Sequence, residues 1–506
     1  MLLSVVFLAS SAQIALSCAT ACGTANYIRG DNWEEWANSD GSYVRNLYLY
    51  DSNSEDQLAT NTLQTTGTGN LIQPNAVISP TVSADATVKQ GAPNTNYGSS
   101  TDIRIQLYKD EFFKIWKTRF YMRFDLSSLP SAGVTIQSAQ IYLYYYAGSG
   151  DGVYINCHYV SSNSWAENTI TWNNMPSYSS TPTSTVAVGI SPGWIAWDVT
   201  NDARQGYQNP GRLFSECFKA KYENRAPMVP KSSYKMFYSK EHSSNKPYLQ
   251  VTYRQSFAVL IAGGGNSTLN WARYFNDLMF MYDCLITHYG YTAANTYVLY
   301  ADGQLPSATN CADPANAVAH GNVIDYSATT TNLQTVFSTI GDSATSVAFV
   351  FVFSTDHGGT SDGHSYLILW SEQFVSDDDF AGSDYLGSVT TYYREAIVMK
   401  QCFSGGFINP LANNKRVIMT SCTATQSSWA CDTEGYYGEF AYHWISAVNW
   451  ANPNGQAVNA DGNADGRISM NEAFTYARNH DSMPETPQRS DQGNIGAGTF
   501  LDSVCP

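Results

Sequence analysis

The stretch Ala396-Ile-Val-Met-Lys-Gln-Cys402-Phe-Ser-Gly-Gly-Phe-Ile408 decides how the C-terminal half of the chain folds. Its short apolar run reads as a buried strand. The strand delivers one cysteine to a Gly-Gly turn, where exposed backbone amides would let a small substrate group approach closely. About 45 residues earlier, Val347-Ala-Phe-Val-Phe-Val-Phe353 is a second apolar strand, ending in Ser354-Thr-Asp356-His357-Gly358-Gly359. Buried parallel strands carry their reactive groups at one edge of a sheet, so these two would bring a thiol and an imidazole together. The expectation is a Cys402/His357 dyad.

Outward from these strands, apolar runs alternate with helical patterns from Ser256 onward, the signature of an α/β domain. Phe257-Ala-Val-Leu-Ile-Ala262 is a first strand ending in Gly263-Gly-Gly265-Asn266, and a helix over 270–288 follows. Asn295-Thr-Tyr-Val-Leu-Tyr300 is a second strand, 330–340 a helix, and Arg416-Val-Ile-Met-Thr-Ser421 a strand after the cysteine. The glycine cluster lacks both the Gly-x-Gly-x-x-Gly spacing and a Lys-Ser/Thr ending, so neither a nucleotide nor any other organic cofactor is expected.

This order resembles the C13, or legumain-like, branch of the caspase-fold cysteine peptidases. The resemblance rests on Ala258-Val-Leu-Ile-Ala-Gly263, the helix with Arg273 and Asn276-Asp277, Asp356-His357-Gly358, Gln401-Cys402-Phe-Ser404-Gly405, Ser427-Ser-Trp-Ala-Cys431 and Tyr437-Gly438-Glu439. It implies a mainly parallel sheet flanked by helices over residues 255–506 and a protein or peptide substrate. Cys402 would attack a peptide carbonyl to form a thioester, and His357 would move the protons. The amides of Gly358 and Cys402 are the implied oxyanion donors. Arg273 and Glu439 stand at substrate-binding positions. The acidic position two before the cysteine is Lys400 here, so an asparaginyl preference does not transfer. Asn270, the candidate for orienting the histidine, sits one residue out of register with the family pattern.

A separate signal lies at Asp461-Gly-Asn463-Ala-Asp465-Gly466-Arg467-Ile-Ser469-Met-Asn-Glu472. Side-chain oxygens fall at positions one, three, five, nine and twelve, with the Arg467 carbonyl at seven and glycine at six, which fits a calcium loop. A single loop over 461–472 reads as a structural Ca²⁺ clamp rather than a sensor; the bland reading is a helix-capping turn. Asp377-Asp-Asp379 reads as a helix N-cap rather than a metal site. Asn266-Ser-Thr268 is an N-glycosylation sequon close to Arg273.

Towards the N-terminus the pattern changes to period-two strands between Gly, Pro and Asn turns, which predicts a β-sandwich over 78–254. Asn96-Tyr-Gly98, Arg123-Phe-Asp125-Leu-Ser-Ser-Leu-Pro130, Trp165-Ala-Glu167-Asn-Thr-Ile-Thr-Trp172, Trp197-Asp-Val-Thr200 and Pro247-Tyr-Leu-Gln-Val-Thr-Tyr253 resemble the DNRLRE-type jelly-roll module of secreted proteins. That resemblance implies an appended β-sandwich, with carbohydrate binding known for some relatives. A purely structural module and a glycan- or matrix-binding one both remain open. Residues 18–77 are a pro-segment or a decoration; Asp31-Asn-Trp33-Glu-Glu-Trp36 could open a short helix, Tyr43-Val-Arg-Asn-Leu-Tyr-Leu-Tyr50 reads as a strand, and 60–75 reads as a linker.

The opening residues 1–17 look like a secretory signal peptide without a basic start, so the expected location is extracellular or an endomembrane lumen. No later stretch is long and apolar enough to span a membrane. Lys and Arg number 27 against 43 Asp and Glu, a net charge of -16, which argues against nucleic acid or anionic membrane as partner. Ten cysteines fit an oxidising compartment and predict disulfides. Candidate local pairs are Cys157 with Cys217, Cys284 with Cys311, and Cys422 with Cys431, and the sequence does not choose among connectivities. Three functions compete: a secreted cysteine endopeptidase localised by its β-sandwich, an inactive peptidase-like scaffold, and a carbohydrate-active hydrolase for which no carboxylate pair stands out.

Overall fold

The computed structural model describes residues 26–30, 33–37, 43–47, 74–149, 153–224, 232–431 and 436–501. The signal-like segment 1–17 and most of the linker lie outside these residues. The stretch 31–36, read from sequence as the start of a helix, is instead strand Trp33–Ala37, paired antiparallel with Asn26–Gly30 and Tyr43–Leu47. A strand with a partner on each side has its backbone groups satisfied, and that outweighs local helical preference.

Two compact units follow, one over Ala76–Tyr253 and the other from Arg254 onward. In the first, Ser184–Val188, Val153–Val160, Leu213–Ala220 and Ile115–Asp125 lie side by side, all antiparallel. Ile115–Asp125 also pairs with Thr81–Lys89 and Asp102–Lys109, and the latter continues through Ser232–Tyr238 to Val134–Ser149. Alternation sets the faces: along Asp102–Lys109, Ile103, Ile105 and Leu107 are buried while their neighbours are not. Phe120 stacks on Phe218 at 4.6 Å, and Trp197 meets Phe218 and Phe237 edge-on. Each such buried ring contributes about 1.5–3 kcal/mol. One helix, Thr200–Gln208, departs from the all-strand expectation. It lies close on its neighbouring strand because Gly206 has no side chain; a Cβ there would stand 2.7 Å from that of Phe214.

In the second unit the strand order is β2–β1–β3–β4–β5–β6. Here β1 is Tyr248–Ala262, which enters this unit at Arg254, β2 is Thr296–Tyr300, β3 Ala348–Ser354, β4 Arg394–Met399, β5 Arg416–Thr420 and β6 Gln488–Ser490. Strands β1 to β5 are mutually parallel and β6 is antiparallel, so the sheet is mixed. All seven residues of β3 and all six of β4 are buried, which explains the apolar runs of β3 and of residues 396–399, while β4 opens with the buried pair Arg394 and Glu395. The longer helices are α1 (Ala272–His288), α2 (Thr330–Ser343), α3 (Glu439–Val448) and α4 (Met470–His480). Phe275 and Leu278 of α1, Phe351 of β3, Trp444 of α3 and Phe474 of α4 share one apolar cluster.

The disulfide expectation is not met among the described residues, whose seven cysteines are all free thiols. Register supplies the reason for the first pair. Cys157 stands opposite Phe218 while Cys217 stands opposite His158, an offset of one residue that sends the two side chains to opposite faces. Cys422 instead contacts Gln401 O and Gln426 O, and Cys311 contacts Asp313.

Candidate active site

Strands β3 and β4 are neighbours and parallel, so the residues that follow them emerge at the same edge of the sheet. His357 is held there by its own backbone. The buried carboxylate of Asp356 accepts N–H bonds from His357 (2.6 Å), Gly264 (2.8 Å) and Gly263, tying the turn after β3 to the turn after β1. Gly264 has φ +70°, a conformation that favours glycine. Burial pushes the Asp356 carboxyl up to about 7 against these three amide bonds.

The imidazole lies edge-on to Tyr274 at 5.3 Å, and its Nε2 meets the Leu269 carbonyl at 2.9 Å. A carbonyl only accepts, so Nε2 carries the proton and Nδ1 is the basic atom of the neutral ring. Burial lowers the His357 pKa from its ordinary value, and the cations Lys400 and Arg273 lower it further. Asn270 does not orient the histidine: its amide donates to Tyr300 Oη and Asn310 O, and the backbone one residue earlier takes the orienting role.

Cys402 follows β4 by three residues. Lys400 N–H still bonds Ser354 O at 2.8 Å, extending the parallel register towards the cysteine. Its Sγ accepts the Ser428 N–H at 3.3 Å, and Sγ and the His357 ring make no hydrogen bond to one another. Gly358 is pressed against the Cys402 backbone, since a Cβ on it would fall 1.9 Å from Cys402 O and 3.0 Å from Cys402 N. Gly358–Ser361 pairs antiparallel with strand His364–Leu369; Ile368 N–H donates to His357 O at 3.4 Å, so the next pair, Gly358/Leu367, is the non-bonded kind and the Gly358 N–H faces away from His364–Leu369. The Cys402 N–H has no acceptor among the described residues. The two amides named from sequence as oxyanion donors are therefore adjacent and uncommitted.

The Gly-Gly turn differs from its sequence reading. It is not an open platform of amides: a Cβ on Gly405 would meet Gln488 Oε1 at 2.6 Å, and one on Gly406 would meet Ser365 Oγ at 2.1 Å. Those glycines are required by internal packing. The turn is instead set by Phe403, left-handed at φ 62° and bonded through its N–H to Gln426 O.

Arg273 lies in the first turn of α1, half-buried, with its guanidinium 5.5 Å from the Trp271 ring. One turn on, Asp277 accepts from Thr355 Oγ1 (2.6 Å) and Gly438 N (3.0 Å), and burial pushes it up to about 6. Glu439 is buried and committed to Ser482, accepting from its N–H at 2.9 Å and its hydroxyl at 2.8 Å. Burial raises its pKa, but bonds from His443 and Ser482 prevail and hold it at about 2. In the sequon, the Asn266 amide nitrogen that a glycan would use donates to Glu372 at 2.7 Å.

Residues 461–472 form a loop closed on itself. Asp461 accepts from Asp465 and Gly466 amides, Asn463 from Asp465, and Asp465 from Arg467, with Gly466 at φ +80°. Glu472 reaches back to the Gly462 and Asn463 amides, and with Ser469 it forms the capping box of α4. The side-chain oxygens of Asp461, Asn463, Asp465 and Glu472 thus all accept amide bonds within one small loop, and the three carboxylates do not converge as tightly as those of Asp377 and Asp378 with His364; Ser469 is already occupied as the helix cap. Asp377 to Asp379 fill the first turn of helix Asp377–Ala381, where Ser376 is the N-cap. Asp377 and Asp378 also stand beside His364 at 2.8 and 3.7 Å, which sequence spacing did not suggest.

In the β module many outward aromatics stack on one another, Tyr142 on Tyr248 at 4.7 Å and Tyr146 on Tyr238 at 4.5 Å, and Trp194 lies edge-on to Tyr144 and Tyr248. Their faces are largely used in cross-strand packing.

A thiol and an imidazole thus stand after adjacent parallel strands, with the Gly358 and Cys402 amides close by. Residues 256–478 match the family model described as Peptidase C13 family, and residues 76–253 match that of Carbohydrate-binding module family 96. The chain thus carries a family 96 module followed by a C13 peptidase domain. A gellan lyase from Bacillus sp is 30% identical over 137 residues, 26% of this chain and 5% of that protein. The chain thus spans only a small part of this relative's length. A crystal structure of caspase-1 from Spodoptera frugiperda aligns at TM-score 0.29 with 10% identity, covering 46% of this chain and 87% of that one. No helix among the described residues is long and apolar enough to cross a membrane.

Proposed function

We propose that the protein is a secreted cysteine endopeptidase acting through Cys402 and His357. The observation that carries this is the adjacency of β3 and β4 with Gly358 pressed onto the Cys402 backbone. In this reading the Cys402 proton passes to His357 Nδ1 as sulfur bonds to the substrate carbonyl carbon. The carbonyl oxygen, now negative, rests on the Gly358 and Cys402 N–H groups. Nδ1–H then protonates the leaving amine as the C–N bond breaks, leaving a thioester, and a water activated by Nδ1 hydrolyses it. The Leu269 carbonyl keeps the ring in the required tautomer throughout.

The same proposal includes helices covering the sheet, a jelly-roll arrangement in the β module, and a polysaccharide or matrix partner for that module. The family 96 match and the gellan lyase similarity support a polysaccharide ligand. Structural calcium at Asp461, Asn463, Asp465 and Glu472 completes it; a bound ion would crosslink the loop to the start of α4.

A second reading, a peptidase-like scaffold without activity, is favoured by the missing Sγ–imidazole hydrogen bond, although such bonds often tighten only with substrate. A cysteine-directed activity probe on the full chain separates the two. Labelling lost in Cys402→Ala and His357→Ala, with peptide cleavage lost in parallel, supports the peptidase. No labelling under reducing, calcium-replete conditions from pH 4 to 8 overturns it.

A further inference from the structure

Lys400 stands two residues before Cys402, on the extension of β4. It is only 3% exposed, yet its ammonium makes no hydrogen bond and no ion pair among the described residues. Its nearest recorded partner is the Tyr274 ring, 5.7 Å away. It is not one of the sealed polar atoms that lack a partner, so the little surface it exposes includes the charged head. The stem is fixed: a Cβ on Gly438 would lie 2.4 Å from Lys400 Cε. Arg273, whose charge also reaches His357 and Asp277, likewise forms no ion pair among the described residues.

The carboxylates nearby are spoken for. Asp277 is committed to Thr355 and Gly438, Asp356 to three backbone amides, and Glu439 to Ser482. The remaining acid whose charge is felt at Lys400 is Glu485, and the two form no ion pair within 4.0 Å. Burial and the neighbouring Asp481 raise the Glu485 pKa above the ordinary carboxylate value, which favours its neutral form. Asp277 and Asp356 act on Lys400 only through space, so the buried ammonium keeps N–H donors with no acceptor among the described residues, a cost that an arriving acceptor would relieve.

We propose that Lys400, with Arg273, selects a substrate carrying an acidic side chain, Asp or Glu, at the residue whose carbonyl Cys402 attacks. The proposal rests on the peptidase reading above. The carboxylate of that residue supplies the direct hydrogen-bonded ion pair that Lys400 lacks among the described residues. A charge-assisted hydrogen bond in a desolvated site gives discrimination of about 10- to 150-fold over the neutral amide of the same shape.

The test uses the full chain and matched fluorogenic peptides ending in Asp, Asn, Glu, Gln or Lys, together with iodoacetamide labelling of Cys402, which needs no substrate side chain. The expected result is a higher kcat/KM for Asp over Asn and for Glu over Gln. In Lys400→Met the Asp/Asn ratio falls by about 10- to 150-fold, in Lys400→Arg it is largely kept, and in Lys400→Glu it inverts towards the Lys peptide. Because the readout is a ratio within one preparation, partial misfolding of a variant does not mimic it. Labelling and cleavage with equal or reversed Asp/Asn preference overturn this inference and leave the peptidase reading standing. A reactive Cys402 with no cleavage of any peptide overturns both.

Discussion

Gly358→Ala tests the geometry on which the active-site assignment depends. The added methyl would lie 1.9 Å from Cys402 O and 2.8 Å from its carbonyl carbon, whereas contacts below 3.0 Å are essentially never seen. Relieving this requires the two backbones to separate by about 3.0 - 1.9 = 1.1 Å, and the blocking atoms are main chain, which cannot rotate aside. A displacement of about 1 Å between reacting groups costs on the order of 10²-fold in rate, and the overpacking itself costs about 1–3 kcal/mol of stability. Gly359→Ala is the control, because its Cβ would meet nothing nearer than Tyr366 Cβ at 3.8 Å. The assay is kcat/KM on a peptide substrate beside the thermal midpoint of each variant. Gly358→Ala is expected to lose roughly 100-fold or more while Gly359→Ala stays within a few-fold. Wild-type activity in Gly358→Ala, or an equal loss in both, would refute the placement of these amides against the nucleophile.

Stability of the peptidase unit should fall as pH rises between about 4 and 8. Asp277 at about 6, Asp356 and Glu395 at about 7 and Glu485 at about 8 lie above the ordinary carboxylate value, chiefly through burial, so the folded state holds more protons there than the unfolded chain. Their contribution is complete below about 4 and lost through about 8. His357, lowered from its ordinary value, and Glu439, held at about 2, oppose this, Glu439 only up to about pH 5. Thermal midpoints across that range check the slope, and a midpoint that climbs steadily to pH 8 contradicts it. Calcium at a hundredfold over its dissociation constant should stabilise by about 2.7 kcal/mol. Glu472→Gln keeps a capping-box residue but removes the charged ligand, so the calcium-dependent rise in midpoint should vanish in it. Asp356→Asn places an amide donor among three backbone donors and should lower stability by about 1–3 kcal/mol, read by denaturant titration. Affinity electrophoresis of the full chain in gels containing polysaccharide tests the module, and unchanged mobility across neutral and acidic polymers counts against its ligand role.

The order of the α/β unit was legible because fully buried parallel strands leave short apolar runs at helix-spaced intervals. The placement of Cys402 and His357 at one sheet edge was legible because each follows a buried strand, and the two strands are parallel neighbours. The orienting group was not, because it is the Leu269 carbonyl, an atom that any residue supplies; the same holds for the Ser428 N–H on the thiol. Asn270 drew the assignment by residue type, and its amide turned out to serve Tyr300 and Asn310. Glycines were visible as glycines but their reason was not: Gly405 and Gly406 are constrained by internal contacts, and Gly358 by contact with the nucleophile. For Cys157 and Cys217 the one-residue register offset, which no spacing reveals, decides against a bond.

The field around the dyad ties these features to the reaction. Buried carboxylates near the site, Asp277, Asp356 and Glu485, are pushed towards their neutral forms by desolvation, while Lys400 and Arg273 form no direct ion pair among the described residues. The net potential at His357 is therefore positive, and it lowers the ring's affinity for a proton. A ring kept neutral can take up the thiol proton, and a ring that holds a proton weakly passes it readily to the leaving amine. The same cations favour the negative charge that grows on the carbonyl oxygen as sulfur adds, reinforcing the two amides there. Substituting Lys400 by a neutral residue thus acts twice, on the choice of side chain and on the imidazole. The pH profile of kcat/KM separates them: its acidic limb, set by His357, should move to higher pH in Lys400→Met for every peptide, whereas the Asp/Asn ratio reports the side-chain contact alone. An acidic limb that stays in place while the ratio collapses would mean that Lys400 contacts substrate without setting the field.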